Sequence, residues 1–402
     1  MSLAYVALGS NLGDRHSLLD AAVRRLRAEP GSRLLAVSQW YETAPVDCPP
    51  GAGSFLNGAA IVETDKSPRD TMTWLLKVEE SFGRHRSIPN SPRTLDLDLI
   101  LFGNQIVNEV PHVIIPHPRM QDRGFVLVPL AEIAPDVIHP TLNVTLATLR
   151  DRIAPDDIRV ADPGPPPAQT LVGMNALVTG STSGIGAVTA QSLRLRGASV
   201  TTHGRRPLPG QHICADLRNP ADVDRLAKES WGDGLDLLVC CAGADILTGS
   251  GAKLSFDEKM AELWAVDVAA TLRLCRAIGG KMKSRGRGAI VTIGWDQCET
   301  GMAGDSGQLF GAVKSAVAGF SKSLAVSLAP EVRVNHIAPG WIRTAWGETA
   351  SPEWQDRVRR ETPLGIWGLP EDVAAATVWL SEPSASWMTG QTIRVNGGAV
   401  RT

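Results

Sequence analysis

The sequence predicts two domains, an α/β or α+β domain followed by an α/β domain on a parallel sheet. Three observations carry this. The 402 residues suffice for two or more domains, each burying a full core. The segment Asp162-Pro163-Gly164-Pro165-Pro166-Pro167-Ala168 has consecutive prolines, which make a stiff spacer with neither strand nor helix. On both sides of it, apolar strand-like runs alternate with amphipathic helical stretches. The expected boundaries are 1–158 for the first domain, 159–173 for the linker and 174–402 for the second.

Composition narrows the function. A net charge of −2 gives no basic surface for nucleic acid. The first residues show no charged start before an apolar run, so no signal peptide is expected, and no stretch approaches the roughly 18 apolar residues of a membrane span. Cys48, Cys214, Cys240, Cys241, Cys275 and Cys298 form no CxxC pair, and adjacent Cys240 and Cys241 read as buried strand residues. Neither a cysteine metal site nor a disulfide is expected, and a reducing cytoplasm is the simplest setting. Both tyrosines, Tyr5 and Tyr41, lie in the first half. Small-molecule substrates are expected as partners, with neither nucleic acid nor membrane.

The first domain opens on a strand, Leu3 to Ala7, then Gly9-Ser10-Asn11-Leu12-Gly13-Asp14. A helix follows over about His16–Ala28, with Leu18, Leu19, Ala22 and Leu26 on one face, and Glu29-Pro30-Gly31 stops it. Strand-like segments cover Leu34–Tyr41 and Phe55–Glu63, and a helix covers about Pro68–Phe82. Then comes Pro92-Arg93-Thr94-Leu95-Asp96-Leu97-Asp98-Leu99, whose alternation is the period of a strand. The leucines face a core and Asp96 and Asp98 share the opposite face. At a Cα separation of roughly 6.5–7 Å, two carboxylates repel by about 2–2.5 kcal/mol at an effective dielectric near 20. A Mg²⁺ ion would remove that cost, taking one or two carboxylates and completing its octahedron with water and phosphate oxygens. Arg93 beside the pair suits a phosphate. The plainer alternative is the solvent face of an edge strand carrying two ordinary acids.

Residues 3 to about 153 resemble the 6-hydroxymethyl-7,8-dihydropterin pyrophosphokinase family. The motifs that carry the resemblance are Gly9-Ser10-Asn11-Leu12-Gly13, Phe55-Leu56-Asn57, Gly83-Arg84-His85-Arg86, the acidic strand, Ile115-Pro116-His117-Pro118 and Asp122-Arg123-Gly124-Phe125. The resemblance implies a ferredoxin-like pyrophosphokinase fold. It implies that Asp96 and Asp98 hold two Mg²⁺ ions on ATP, that the pterin hydroxymethyl attacks the β-phosphorus, and that AMP leaves. Arg84, Arg86, Arg93 and Arg123 would meet the developing charge, Arg84 and Arg93 as catalytic groups. Glu79 and His117 match nucleotide positions; a helix-face acid and a loop residue are the plainer readings. Asn57 and Phe125 match the pterin amide and stacking ring, and Phe55 stands where the family often has tyrosine. The loop Ser87-Ile88-Pro89-Asn90-Ser91 lacks the tryptophan that many members close over the pterin.

The second domain opens on the strand Asn175–Thr179, the turn Thr179-Gly180-Ser181-Thr182-Ser183-Gly184-Ile185-Gly186 and a helix to about Arg196. A glycine-rich strand-to-helix turn lets backbone approach a pyrophosphate. The strand Val200-Thr201-Thr202-His203 ends on Gly204-Arg205-Arg206 without the acid that favours NAD, so Arg205 and Arg206 point to the 2′-phosphate of NADPH. Two solvated arginines are the alternative.

Residues 174–400 resemble the short-chain dehydrogenase/reductase family, through Gly180, Ser181, Gly184, Ile185 and Gly186, then Asp216-Leu217, Ala242-Gly243, Pro339-Gly340-Trp341-Ile342-Arg343-Thr344 and Asn396-Gly397-Gly398. The resemblance implies a Rossmann fold, NADPH on these residues, and homo-oligomers through this domain. One departure is decisive for the chemistry. The family's Tyr-x-x-x-Lys is Phe310-Gly311-Ala312-Val313-Lys314 here, and the usual serine gives way to Gly294-Trp295-Asp296-Gln297. The proton-relay Asn stands as Asp267. Lys314 is expected to hold the nicotinamide ribose. Pteridine reductases carry an aspartate near the serine position, so Asp296 is a candidate proton donor; a loop acid capping the strand is the alternative. The expectation is a bifunctional folate-pathway enzyme whose second domain reduces a dihydropterin or dihydrofolate C=N bond. The competing expectation keeps the kinase and makes the second domain a non-catalytic binding and oligomerisation module.

Overall fold

The computed structural model describes residues 1–45, 49, 53–84, 93–153, 158–162, 164 and 168–400. The chain forms two compact units, Met1–Pro165 and Pro166–Thr402.

The first unit is an antiparallel sheet with helices on both faces. Its strands are β1 (Ser2–Ser10), β2 (Ser32–Val37), β3 (Tyr41–Thr43), β4 (Phe55–Thr64), β5 (Asp96–Phe102) and β8 (Arg159–Val160), in the order β5-β1-β4-β3-β8 with β2 also on β4. β6 (Val107–Glu109) and β7 (Val113–Ile115) form a separate hairpin. Helices α1 (Arg15–Arg27) and α2 (Pro68–Ser81) are capped by Asp14 and Ser67, whose side chains accept from the Ser17 and Asp70 N–H groups. Their apolar stripes bury against Ala4, Val6, Leu8, Leu97 and Leu99. On the other face α3 (Gly124–Ile133) and α4 (Leu146–Arg150) cover Tyr5, Ala59 and Ile61. Strand alternation thus separates the leucines of β5 from Asp96 and Asp98.

Two expectations need correction. The segment 34–41 is not one strand: Ser38 donates its hydroxyl to the Gln39 carbonyl and receives the Ala59 N–H, which breaks the ladder between β2 and β3. The expected linker 159–173 is partly built in. Arg159–Val160 pairs with Tyr41 and Glu42, and Leu171 is fully buried in the second unit's core, because each supplies a ladder or an apolar side chain that a neighbour needs.

The second unit is a seven-stranded parallel sheet in the order β11-β10-β9-β12-β13-β14-β15: β9 (Asn175–Thr179), β10 (Ser199–Gly204), β11 (His212–Cys214), β12 (Leu237–Cys240), β13 (Gly288–Ile293), β14 (Val332–Pro339) and β15 (Thr392–Val395). Helices α5 (Gly184–Leu195) and α12 (Pro370–Ser381) contribute to the core on one face. α6 (Pro220–Glu229), α8 (Thr271–Arg285) and α9 (Asp305–Leu328) contribute to the core on the other. α7 (Phe256–Leu263) runs into α8 through a π-helical stretch, Trp264–Ala270. α10 (Ala345–Glu348) and α11 (Pro352–Glu361) follow β14. Contrary to the sequence expectation, α9 is long and apolar enough to cross a membrane by composition. In the fold, its residues Leu309, Val313, Val317, Leu324, Ala325 and Leu328 are buried.

Candidate active sites

In the first unit three strands bring one row together. Gly9 on β1 pairs with Asp96 on β5 and with Asn57 on β4; Ala7 pairs with Asp98. A Cβ on Gly9 would sit 2.9 Å from Asn57 Oδ1 and 3.7 Å from Asp96 Cβ, so glycine keeps the floor of the cleft open. Phe55, Asn57, Arg93, Asp96, Asp98 and Phe125 line one cleft. β5 is an edge strand, as the plainer reading had it, but its acidic face forms the cleft wall.

The charges there are interlocked. Arg84 Nη1 donates to Glu79 Oε1, to Asp96 Oδ1 and, at 3.3 Å, to the Leu95 carbonyl. Arg93 Nη2 lies 2.8 Å from Asp96 Oδ2. Glu79, almost wholly buried, also accepts the Leu97 N–H at 2.7 Å. Burial, then the charges of Asp96 and Glu79, push the Asp98 carboxyl up to about 6, with Arg123 and Arg84 opposing. A divalent cation fits this donor set, since it relieves the repulsion that raises Asp98. Burial, then Arg123 and Arg119, push His117 down to about 4, so it is a neutral ring at pH 7. Asn57 donates to Thr43 Oγ1 at 2.8 Å, which fixes its amide. The Arg93 and Arg123 guanidinium groups lie over the Phe55 and Phe125 rings, 5.2 and 5.3 Å from their centroids. Arg86 and the loop 87–91 lie outside the described residues.

In the second unit a cleft runs along the carboxyl ends of the parallel strands, where the strand order reverses between β9 and β12. Gly180, Thr182, Ser183, Ile185 and Gly186 line one stretch of it; Arg205, Asp216, Leu217 and Arg218 another; Cys241 to Ala244, Asp267, Phe310, Lys314 and Thr344 a third. Gly180 has φ +64°, and a Cβ there would come within 2.6 Å of Ala242 Cα; one on Gly186 would come within 2.4 Å of the Gly180 carbonyl oxygen. This close backbone cradle fits a dinucleotide pyrophosphate.

Residues 5–135 match the family described as 7,8-dihydro-6-hydroxymethylpterin-pyrophosphokinase, and residues 180–400 the family described as enoyl-(acyl carrier protein) reductase. The chain is 43% identical over 136 residues to the 2-amino-4-hydroxy-6-hydroxymethyldihydropteridine pyrophosphokinase of Pseudomonas aeruginosa, covering 34% of this chain and 83% of that protein. It is 31% identical over 245 residues to a 3-oxoacyl-(acyl-carrier-protein) reductase of Vibrio cholerae, covering 57% of this chain and 98% of that one. The chain belongs to two families: the hydroxymethyl-dihydropterin pyrophosphokinases over its first unit and the short-chain dehydrogenases/reductases over its second. A crystal structure described as a short-chain alcohol dehydrogenase, from Sinorhizobium meliloti 1021, matches with a TM-score of 0.53 at 27% identity, over 58% of this chain and 98% of that one.

Within the reductase unit, some expected cofactor residues stand off the cleft wall. Ser181 is buried beneath the glycine turn, donating to the Val178 carbonyl and accepting the His203 N–H. Gly184, Arg206, Pro339, Gly340 and Ile342 also contribute no part of the wall; the Ile342 carbonyl accepts the Thr344 N–H at 2.9 Å. The candidate donor Asp296 needs the largest correction. It is fully buried at 0% exposure and is not on the cleft wall. Its Oδ2 accepts from Asn396 Nδ2 at 3.0 Å, and burial pushes its carboxyl up to about 6. The residues after β13 turn inward there, a direction that sequence alone does not encode.

Sequence reasoning also missed residues of the reductase unit. His203 accepts the Gly180 N–H on Nδ1 at 3.2 Å, and its Nε2 lies 3.2 Å from the Ala215 carbonyl, tying the glycine turn to the segment that leads to Asp216. Burial lowers its pKa, consistent with a neutral ring donating from Nε2. Arg218 makes a fork onto Asp216 on the cleft wall. Trp341, Trp346, Trp354 and Trp367 form one aromatic cluster after β14, with Arg357 over two of the rings. The crowding of four of the 11 tryptophans into 27 residues was the available signal.

Proposed function

We propose that the chain is a bifunctional folate-pathway enzyme: Mg-ATP-dependent pyrophosphoryl transfer to 6-hydroxymethyl-7,8-dihydropterin, with release of AMP, and NADPH-dependent reduction of a dihydropterin or dihydrofolate C=N bond. The observation that carries the first activity is the shared cleft of Asp96, Asp98, Asn57, Phe55 and Phe125. Asp96 and Asp98 would hold Mg²⁺, which supplies charge neutralisation on the triphosphate. Arg84, Arg93 and Arg123 stand close enough to exchange their carboxylate and ring partners for phosphate oxygens. Neutral His117 offers a hydrogen bond without adding charge. Asn57, fixed by Thr43, reads the pterin edge, and the two phenylalanine rings sandwich its plane.

The observation that carries the second activity is Phe310 on the cleft wall beside Lys314. Ketone reduction develops an alkoxide and needs a strong placed donor. A pterin ring nitrogen is more basic and makes a weaker demand. NADPH would supply the hydride; Arg205 supports its 2′-phosphate, the glycine turn its pyrophosphate and Lys314 its ribose. The competing reading, a non-catalytic module, is favoured by the loss of the tyrosine and the burial of Asp296. Exposed Phe256, Met260 and Trp264 support self-association in either case. Assaying AMP release with hydroxymethyl-dihydropterin, and NADPH oxidation against dihydropterins, dihydrofolate and ketones, tests both halves. Cofactor binding without turnover on any of these would leave the module reading.

A further inference from the structure

We propose that Lys314, oriented by Asp267, is the acid that protonates the substrate nitrogen in the second unit. The proposal rests on the C=N reduction reading above. Both tyrosines precede the reductase unit, and Phe310 carries no hydroxyl. Asp296 is closed off from the cleft. Of the other proton-bearing side chains near Lys314, the Cys241 thiol is pushed up to about 12, mainly by burial, and the Cys298 thiol is also raised. His336 is pushed down to about 4 by burial and the nearby lysines. Among these neighbours Asp267 is the one counter-charge.

The pair is built asymmetrically. Lys314 Nζ lies 2.7 Å from Asp267 Oδ1; the lysine side chain is 15% exposed and the aspartate 1%. The ammonium therefore stands on the cleft side with the carboxylate behind it. Asp267 is fixed in turn. Its Oδ2 accepts the Ala244 N–H at 2.8 Å, and a Cβ on Gly243 would come within 3.1 Å of Oδ1. The π-helical stretch places this carboxylate inward. An ammonium has three N–H donors. Asp267 Oδ1 holds the ammonium as an ion pair and accepts no hydrogen bond, so N–H donors remain for the cofactor ribose and for the substrate.

The step balances. A hydride from the dihydronicotinamide forms the new C–H bond at the imine carbon. The C=N π pair moves to nitrogen, which takes a proton from Lys314 Nζ. The nicotinamide is oxidised, the substrate is reduced by two electrons, and the neutral amine regains a proton from water through the open cleft.

Lys314→Arg in the full chain tests this. The guanidinium keeps the charge opposite Asp267 but does not release a proton in this pH range. Lys314 also meets the ribose in this reading, so NADPH affinity, read from cofactor fluorescence, should weaken somewhat, while turnover of 7,8-dihydropterins at saturating NADPH falls by roughly 10²–10⁴. In Lys314→Ala, added methylamine should restore turnover and guanidine should not. A Lys314→Arg rate close to the unmodified rate would overturn the donor assignment alone. Absence of turnover by the unmodified protein would overturn it together with the reduction reading. If Lys314→Arg does not fold, rescue of Lys314→Ala by guanidine as well as methylamine would overturn it.

Discussion

The ring of Phe310 meets Trp295 edge-on, with centroids 6.3 Å apart and planes at 68°. An aromatic contact thus joins Phe310, the residue expected at the tyrosine of Tyr-x-x-x-Lys, to the segment 294–297 that follows β13. Phe310→Tyr should create or raise ketone reduction and change dihydropterin reduction little. Ketone turnover by the unmodified protein equal to that of the variant would show that a strong donor already exists.

In the kinase unit, Asp96→Ala or Asp98→Ala should each lower AMP formation by several orders of magnitude, since a metal clamp contributes several kcal/mol of charge stabilisation. Near-normal AMP release by both variants would sink the metal assignment.

Asp98 also predicts a pH effect. Its carboxyl is raised from 3.8 to about 6, so between those values the metal-free site retains a proton that a cation must displace. Apparent Mg²⁺ affinity in the presence of nucleotide should climb as pH rises from about 4 to 6 and level off above. Calorimetry in buffers of different ionisation enthalpy should detect proton release near pH 5.5 and little at pH 8. Equal release at both values would count against a raised Asp98.

Arg205 lines the cleft of the reductase unit and Arg206 does not. A charge-assisted contact contributes about 1.5–3 kcal/mol, so Arg205→Ala should narrow the NADPH-over-NADH preference by tenfold or more, with Arg206→Ala contributing less. Equal affinities of the unmodified protein for the two cofactors, by fluorescence titration, would refute the assignment.

Asp296 affects stability. Its folded-state carboxyl is raised from 3.8 to about 6, so the native state holds a proton in that window that the unfolded chain has lost. Stability should fall as pH rises through the window and stay lower above it. Asp296→Asn keeps the shape and should flatten this dependence, raising Tm at pH 8 relative to the unmodified protein. An unchanged pH profile of Tm would show that Asp296 is not the group responsible.

Local patterns were the legible part. The Leu-Asp alternation of β5 reports its own two faces, and the glycine turn reports its own strand and helix. What joins distant segments was not legible. Nothing near Asp296 in sequence announces Asn396, 100 residues later, as its partner. The pairing of Arg159–Val160 with β3 was hidden by the prolines that follow. The sharing of Arg84 between Glu79 and Asp96 depends on how α2 approaches β5, which periodicity leaves open.

That sharing has a thermodynamic consequence. Arg84 and Arg93 both hold Asp96. A polyphosphate that draws the two guanidinium groups away would leave Glu79, Asp96 and Asp98 poorly compensated, and a divalent cation that takes the carboxylates would free the arginines. Each arrival prepares the cleft for the other. By reciprocity the nucleotide must strengthen cation binding by the same factor as the cation strengthens nucleotide binding, so the two should load as one cooperative unit.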